Sequence, residues 1–347
     1  MTVQTETQPA TGGEGKQSGG FGRNLLGGSV GRNLGLVIAL AVLVAVGAIT
    51  AGDRFTNIDN FLTIIRYASI IGVISIGVTF VIIAGGIDLS VGSVMGLSTI
   101  TATISAVQLA STQTWWGLMA IVAIATGAIC GLINGVVIAY GKVVAFMATL
   151  AMLVAARGLA ELISNRRTEI VDVPGFLVFF RGAFLGVPIL IWIFVLVAVA
   201  GWFVLNRTTF GRRTVAIGGN LEAARLAGVK VRQHMVALYV LSGTAAGIAG
   251  VMMLGRTTSG TSTHGLLYEL DAIAAVVVGG TLLVGGRGTI AGTVLGVLIF
   301  STLTNVFTQN NLSTSVQAVV KGVIIVIAVL LQQRFASRDP NKAMRTG

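Results

Sequence analysis

Charged side chains and cysteine are scarce in this chain of 347 residues. Charged residues make up 10% of the sequence, whereas soluble domains carry roughly 25%. Hydrophobic residues make up 54%, and one core cannot hide that much apolar surface, so we expect lipid to act as the solvent. The single cysteine, Cys130, excludes an internal disulfide, and two histidines add too few ligands for a zinc site. We therefore expect no metal site.

Nucleotide-binding motifs and a nucleic-acid surface are also lacking. The formal net charge is +11, but the basic residues lie in short gaps between apolar runs, without interleaved aromatic residues. GKQ at Gly15–Gln17 lacks the Ser or Thr of a Walker A loop. GGRGTIA at Gly285–Ala291 matches G-x-G-x-x-A but lacks the βαβ context and the acid about 20 residues on. We expect this chain to bind neither nucleic acid nor ATP, and no cluster of nucleophile, base or metal ligands suggests an enzyme.

Long apolar runs dominate the rest of the sequence. A membrane-spanning helix needs about 20 apolar residues. On that basis the sequence predicts an all-α, polytopic transmembrane helix bundle of about ten spans. The eighth run is short and abuts the glycines of Gly285–Gly288, so the eighth and ninth runs could instead form a bent pair. The ten candidate spans are Leu34–Ala51, Leu62–Ala84, Leu89–Ala110, Gly117–Ala139, Val143–Ile163, Val187–Leu205, Met235–Leu254, Leu270–Val284, Thr289–Phe307 and Val316–Leu331.

Lys and Arg are distributed unevenly over the loops between these runs. With the N-terminus inside, 15 of the 23 basic residues fall on the inside, five on the outside and three within spans. Because Lys and Arg accumulate in cytoplasmic loops, we expect both termini in the cytoplasm and an even number of spans. The sequence then divides into a disordered cytoplasmic N-terminal tail (1–33), a transmembrane domain (34–333) that includes a cytoplasmic loop (206–234), and a cytoplasmic C-terminal tail (334–347).

The cytoplasmic loop carries six basic residues against one acid, Glu222. Asn220 is a candidate N-cap, Glu222 in the first turn complements the helix dipole, and Gly228 can end a short helix. Ala223 and Ala224 favour helix and leave room for a partner to approach closely. From these residues alone, a docking surface and an ordinary capped loop helix are equally good interpretations.

Polar residues also interrupt the apolar runs. In IAGGIDLSVGS, Gly85 and Gly86 can break the second span, and Asp88 or Ser90 can cap the third. An acid at this depth in a membrane is costly, so Asp88 is either a functional group of a transport pathway or a structural cap. We expect Asn134 of the fourth span to hydrogen-bond between helices, with substrate contact as the alternative.

Two further features concern the outer ends of the spans. GFLVFF at Gly175–Phe180 is too short to cross a membrane, so it is either an interfacial helix or a loop packed on the bundle. Arg157 and Glu161 lie four residues apart on the fifth span, where we expect them to pair along one helix face.

Five segments in a fixed order resemble the permease family of sugar ABC importers of the ribose, xylose and galactose type. The resemblance covers the chain from about Phe61 to Leu331. EAARLAG at Glu222–Gly228 also resembles the start of the wider importer coupling loop, EAA-x-x-x-G, although the I-x-L-P ending of that loop is missing here. The five segments are IAGGIDLSVGS, GLINGVVIA, FMATLAMLVAARGLA, GGNLEAARLAGVKV and VVVGGTLLVGGRGTIAGTVLGVLI.

The resemblance implies the membrane-spanning permease subunit of an ATP-binding-cassette importer for a monosaccharide, with a fold similar to type II importers. It implies a second copy of the chain, a cytoplasmic ATP-binding subunit that carries the ATP and Mg²⁺, and an extracellular or periplasmic sugar-binding protein. The expected location is the bacterial plasma (inner) membrane, and this chain would itself hold no cofactor. Coupling to the ATPase would rest on Glu222, Ala223, Ala224, Arg225 and Gly228.

The alternative is an ion-coupled secondary transporter of a small polar solute. Such a protein needs buried acids as coupling sites, and the sequence offers Asp88 and Glu161. For the passage of sugar through the pore, the candidate pathway residues are Asp88, Ser90, Ser93 and Asn134.

Overall fold

The structure, a computed structural model, describes residues 29–337 as a bundle of helices. Most of the predicted N-terminal tail (1–33) and of the predicted C-terminal tail (334–347) lies outside the described residues, and residues 334–337 continue the last helix. The helices are α1 (Ser29–Ala51), α2 (Asp53–Thr56), α3 (Ile58–Ile83), α4 (Val91–Thr103), α5 (Ser105–Gln113), α6 (Leu118–Ala139), α7 (Ala145–Ser164), α8 (Pro174–Arg181), α9 (Ile189–Arg207), α10 (Thr209–Gly219), α11 (Leu221–Leu226), α12 (Val231–Thr257), α13 (Tyr268–Val278), α14 (Ile290–Gln309) and α15 (Thr314–Ser337).

Four short strands among the described residues form two small antiparallel pairs. β1 (Glu169–Ile170) pairs with β4 (Ser259–Gly260), and β2 (Ala183–Phe184) pairs with β3 (Val187–Pro188). The first pair ties the segment after α7 to the end of α12, and the second forms a hairpin before α9.

Seven of the helices are long and apolar enough to cross a membrane, namely α1, α3, α6, α7, α9, α12 and α14. Helices α4 and α5 would together form an eighth span, bent by 58° at Ile104. Each of the ten predicted runs contains a helix, but the eighth run holds α13, whose 11 residues extend only about 16 Å. The helix ends before Gly280, whose backbone has a φ of 89°, a left-handed conformation that favours glycine. The described residues therefore contain seven or eight spans by length and composition, fewer than the predicted ten.

Helix α3 lies at the centre of the bundle. Every residue from Ala68 to Ile83 is buried, as expected for a helix that is apolar on all sides. It contacts α9, α12, α13 and α14, so the two halves of the chain share one core around it.

Helices α6 and α12 cross at very short range because glycines line both of their facing surfaces. Gly127, Gly131 and Gly135 recur every fourth residue on α6, opposite Gly243 and Gly247 of α12. A side chain at any of them would meet the backbone of the facing helix. Small residues at this spacing are a common way to pack membrane helices closely.

The loops of the bundle gather at two opposite ends. At one end, the Gly286 amide donates to the Ile83 carbonyl oxygen at 2.8 Å, which joins the α13–α14 loop to the end of α3. At the other end, the guanidinium carbon of Arg256 lies 3.6 Å from the ring centroid of Tyr67. This grouping agrees with the alternation of loops that the sequence predicts.

The apolar segment GFLVFF forms α8 and is too short to span a membrane. Phe176 and Phe180 are buried on the bundle beside Trp116, whereas Val178 and Phe179 are 76% and 43% exposed. Both sequence interpretations are partly right, because α8 packs on the bundle through one face and leaves an apolar face uncovered.

Candidate functional site

Asp88 lies in the irregular segment between α3 and α4, where its side chain is 1% exposed. Its Oδ1 atom accepts hydrogen bonds from the Ser90 amide at 2.9 Å and from the Ser90 hydroxyl at 2.6 Å. Its Oδ2 atom accepts from the hydroxyl of Ser242 on α12 at 2.8 Å. Three hydrogen bonds therefore compensate for the removal of this acid from water.

Asn134 of α6 extends the same network. Its Nδ2 atom donates to the Ser90 hydroxyl oxygen at 2.9 Å, and its side chain is 2% exposed. Asp88, Ser90, Asn134 and Ser242 thus join the α3–α4 break to both helices of the glycine-lined crossing. The hydrogen bond predicted for Asn134 is present, but its partner Ser90 lies in the break just before α4 and not within a helix. Ser242 was missed because nothing in its own sequence neighbourhood indicates that it meets an acid.

Ser93, the fourth candidate pathway residue, lies in the first turn of α4 and is 1% exposed. Among the described residues it makes no hydrogen bond with the other three candidates. The structure therefore brings Asp88, Ser90 and Asn134 together and places Ser93 beside them on α4.

The central loop forms two short helices, α10 and α11, and its predicted caps are confirmed. The Asn220 side chain accepts from the Ala223 amide at 3.0 Å at the start of α11. Gly228 follows the helix with a φ of 81°, a conformation that glycine adopts at no steric cost. Glu222 pairs with Arg225 at 3.1 Å, but both side chains are exposed and such pairs contribute little to stability.

Helix α11 presents one face to the bundle and one to its surroundings. Ala224 is 4% exposed and belongs to the main core, whereas Leu226 is 88% exposed and Leu221 is 42% exposed. This six-residue helix therefore exposes a leucine among exposed arginine and lysine side chains.

Gly218 at the end of α10 connects this surface to the α3–α4 break. A Cβ atom at Gly218 would collide with the Ile83 carbonyl oxygen, so only glycine allows α10 to sit this close. The same carbonyl oxygen accepts the hydrogen bond from Gly286. A displacement of α10 and α11 would therefore press directly on the residues that precede Asp88.

A second polar region lies near the opposite end of the bundle. Lys321 of α15 and Asp271 of α13 form an ion pair with an Nζ–Oδ2 distance of 3.0 Å, and each side chain is 17% exposed. The pair borders a cavity of about 580 Å³ between α3, α13, α14 and α15. The sequence placed Lys321 within a span but gave it no partner, because the two residues are 50 positions apart.

The predicted pair between Arg157 and Glu161 is wrong. Arg157 donates instead to the carbonyl oxygens of Ser262 and His264, in the loop that follows α12. Glu161 pairs with Arg166 at 2.9 Å at the surface. The loop offers carbonyl oxygens that no helix satisfies, and a guanidinium with several donors satisfies two of them at once.

Comparisons with known proteins agree with the resemblance. A family model described as "Branched-chain amino acid transport system / permease component" matches residues 60–329. The ribose import permease protein RbsC of Bacillus subtilis is 43% identical over 309 residues, which cover 87% of this chain and 93% of that protein. RbsC of Escherichia coli K12 is 39% identical over 306 residues, covering 86% and 92% of the two chains.

A second group of relatives is named for another sugar. The L-arabinose transport system permease protein AraH of Escherichia coli K12 is 36% identical over 337 residues, covering 95% of this chain and 96% of that protein. No solved structure matches the chain. Because the family model matches well over half of its length, and three relatives of similar length are 36–43% identical to it, the chain belongs to the family of branched-chain amino acid transport system permease components.

Proposed function

We propose that this chain is the membrane-spanning permease subunit of an ATP-binding-cassette importer that carries a monosaccharide. The observation that carries the proposal is its similarity, over most of its length, to proteins named as ribose import and L-arabinose transport permeases. The family description mentions branched-chain amino acids, but these full-length relatives favour a sugar. They also favour ATP-driven import over ion coupling, and Glu161, one of the two acids considered for ion coupling, pairs with Arg166 at the surface.

The proposed topology has about ten spans, similar to type II importers, with both termini in the cytoplasm of a bacterium. Eight spans are counted when α4 and α5 form one. The predicted runs 270–284, which contains most of α13, and 316–331, which lies in α15, would supply the other two. Residues 34–333 form the permease domain, and the loop 206–234, with its six basic residues, faces the cytoplasm.

The proposed partners are a second copy of the permease, a cytoplasmic ATP-binding subunit and an extracellular or periplasmic sugar-binding protein. ATP and Mg²⁺ belong to the ATP-binding subunit. Apolar surface that this chain leaves open supports further contacts with lipid or a second copy, since much of α1 and α7 is not covered by the described residues.

The ATPase docks on α11 in this proposal, through the exposed Glu222, Ala223, Arg225 and Gly228. Ala224, also a candidate coupling residue, is buried and would instead anchor α11 to the bundle. The exposed Leu226 supplies the apolar contact. Closure of the ATPase pair then pushes α10 and α11, and the contact of Gly218 with Ile83 passes the displacement to the α3–α4 break. The candidate pathway residues Asp88, Ser90, Ser93 and Asn134 lie at or just beyond that break.

Replacement of one exposed leucine tests this docking surface. Leu226→Glu leaves both caps of α11 intact but places a charge in the proposed contact, where an unpaired charge is costly. We expect the purified permease to lose its co-purifying ATPase subunit and sugar uptake to fall at least about tenfold, which corresponds to about 1.4 kcal/mol. Deletion of residues 222–228 should abolish uptake while the protein still inserts.

Leu185→Glu is the matched control, because Leu185 is 79% exposed at the opposite end of the bundle. This variant should retain its ATPase subunit. Sugar uptake that survives the deletion of 222–228 would contradict the docking assignment. Uptake that persists in cells lacking every ATPase subunit would contradict the proposed transporter class.

A further inference from the structure

A polar cavity of about 580 Å³ lies within one chain, between α3, α13, α14 and α15. Exposed Asp59 and Thr308 lie at its mouth, and buried Ile71 and Ser301 lie at its inner end. Ser301 and Thr308 are seven residues apart on α14, so the cavity extends about 10 Å along that helix. Its mouth is at the start of α3, and the end of α3 contacts the central loop, so the cavity opens on the side away from that loop.

The two charged side chains of the half-buried wall neutralise each other, and the second acid, Asp59, lies exposed at the mouth. Lys321 donates to both carboxylate oxygens of Asp271, at 3.0 and 3.2 Å. An ammonium group has three donors, so Lys321 keeps at least one for another acceptor. The half-buried pair therefore offers donors and acceptors to a neutral polar molecule without requiring a charged one.

Three amide side chains add groups that both donate and accept. Asn60 and Asn305 exchange two hydrogen bonds, at 2.8 and 3.1 Å, and Gln309 donates to Asn60 at 2.7 Å. Each amide has two donors and one carbonyl oxygen, so Asn305 and Gln309 retain capacity beyond this cluster. Hydroxyl groups also donate and accept, so a polyhydroxylated molecule matches such a wall.

One buried hydroxyl at the inner end of the cavity lacks a partner. The Oγ atom of Ser301 has no hydrogen-bond partner among residues 29–337, and the residue is 5% exposed. A buried polar group without a partner destabilises the fold, and a hydroxyl from a bound molecule would satisfy it.

Aromatic side chains complete the lining. Tyr67 and Tyr268 border the cavity, and the guanidinium of Arg256 lies 3.6 Å from the ring centroid of Tyr67 and holds that ring in place. Aromatic rings beside a few placed polar groups are typical of small-molecule sites of this volume.

We propose that this cavity binds a neutral polyhydroxylated molecule of monosaccharide size, on the side of the membrane away from the basic loop. It is a site of the transported sugar within a single chain, so it does not require the second copy. The identification of the ligand with the transported sugar rests on the proposed function. The binding chemistry rests on the Asp271–Lys321 pair, the amide cluster and Ser301.

Protection of a single cysteine against a thiol reagent tests the site directly. In a Cys130→Ala background, Thr304→Cys places a thiol in the cavity wall, and Thr114→Cys places one on the exposed outer surface. The full chain in lipid nanodiscs is treated with methyl methanethiosulfonate, alone or with D-ribose, L-arabinose or L-leucine. At a sugar concentration about four times its Kd, we expect modification at position 304 to slow about fivefold and modification at position 114 to be unchanged.

Transport kinetics give a second readout in intact cells with the complete importer. Asn305→Ala removes one amide from the wall and should raise the KM for sugar uptake about tenfold, the equivalent of about 1.4 kcal/mol. The matched control is Asn310→Ala, because Asn310 lies outside the lining and bonds to Thr50 and Val306. Its KM should stay at the wild-type value.

The outcomes separate this inference from the proposed function. If neither D-ribose nor L-arabinose protects position 304, or if L-leucine alone protects it, the cavity does not bind the transported sugar. This conclusion holds even if wild-type cells import one of the two sugars. If a sugar protects position 304 but wild-type cells import neither sugar, the binding site stands and the proposed function is wrong. An Asn305→Ala variant with an unchanged KM contradicts the assignment of the amide cluster.

Discussion

Asp88 is a buried acid whose three hydrogen bonds hold an irregular segment against two helices. The sequence left open whether this acid is functional or a structural cap. The predicted cap is wrong, because Ser90 is the N-cap residue of α4 but makes no capping hydrogen bond, and Asp88 accepts from the amide of Ser90 itself. The carboxylate instead joins the break after α3 to Ser242 of α12 and, through Ser90, to Asn134 of α6, which is a structural contribution. Any movement of the break relative to α12 would therefore change the hydrogen bonds of Asp88 directly.

Removal of this carboxylate should destabilise the folded protein. Asp88→Ala leaves the hydroxyls of Ser90 and Ser242 buried without their acceptor, and each unsatisfied group costs about 1–3 kcal/mol. We expect a lower Tm in detergent, measured by intrinsic fluorescence. Asp172→Ala is the control, since Asp172 is an exposed acid whose backbone amide makes its hydrogen bond. Equal Tm values for the two variants would contradict a structural role for Asp88.

Among the elements, the pair α6 and α12 depends most on glycine. A Cβ atom at Gly131 would lie 2.9 Å from the carbonyl carbon of Tyr239, which is closer than side chains come to backbone in folded proteins. The sequence indicates close packing through the abundance of glycine, but it does not say which helices meet. That choice depends on contacts between residues more than 100 positions apart.

A single methyl group should therefore disturb this crossing. Gly131→Ala forces α6 and α12 apart, and such overpacking costs about 1–3 kcal/mol. We expect a lower Tm and less monodisperse protein on size-exclusion chromatography. Gly158→Ala on α7 is the matched control, because a Cβ atom there meets nothing within 4 Å. A Gly131→Ala protein as stable as the Gly158→Ala protein would show that the helices can separate without cost.

For the whole molecule, the orientation in the membrane decides which end would meet the proposed ATPase subunit. The bundle has two ends, and the central basic loop lies at one of them together with the α3–α4 break. The excess of Lys and Arg at this end supports a cytoplasmic location. The Lys and Arg pattern of the sequence and the contacts between loops in the structure are independent observations. Both assign the loops to the same two ends of the bundle.

Labelling of intact cells checks this orientation. In a Cys130→Ala background, we expect a membrane-impermeant maleimide to modify Thr56→Cys and to leave Ala227→Cys unmodified until the cells are lysed. Both positions are exposed in this chain. The cells lack the ATPase subunit, so that the membrane and not a partner on α11 decides the access of the reagent. Labelling of Ala227→Cys before lysis would place the basic loop outside and reverse the proposed topology.

The sequence by itself determined the membrane environment, the positions of the apolar helices, the caps of α11 and the family resemblance. These properties depend on composition and on residues close together in the chain, such as Asn220 with Ala223, so they can be read from a linear pattern. The span count was less well determined, because α13 has only 11 residues where a span needs about 20. Hydropathy alone does not show that the helix ends at Gly279 and Gly280.

Tertiary structure alone decided which distant polar groups meet. Ser242 joins Asp88 across 154 positions, Lys321 joins Asp271 across 50, and Arg157 turns to loop carbonyl oxygens instead of Glu161. In the low dielectric of a membrane, an unpaired polar group is costly, so these groups pair with whichever partner the packing of helices brings near. That packing is set by long-range contacts around α3. The cavity near Asp271 exists for the same reason, because four helices with separate positions in the sequence supply its wall.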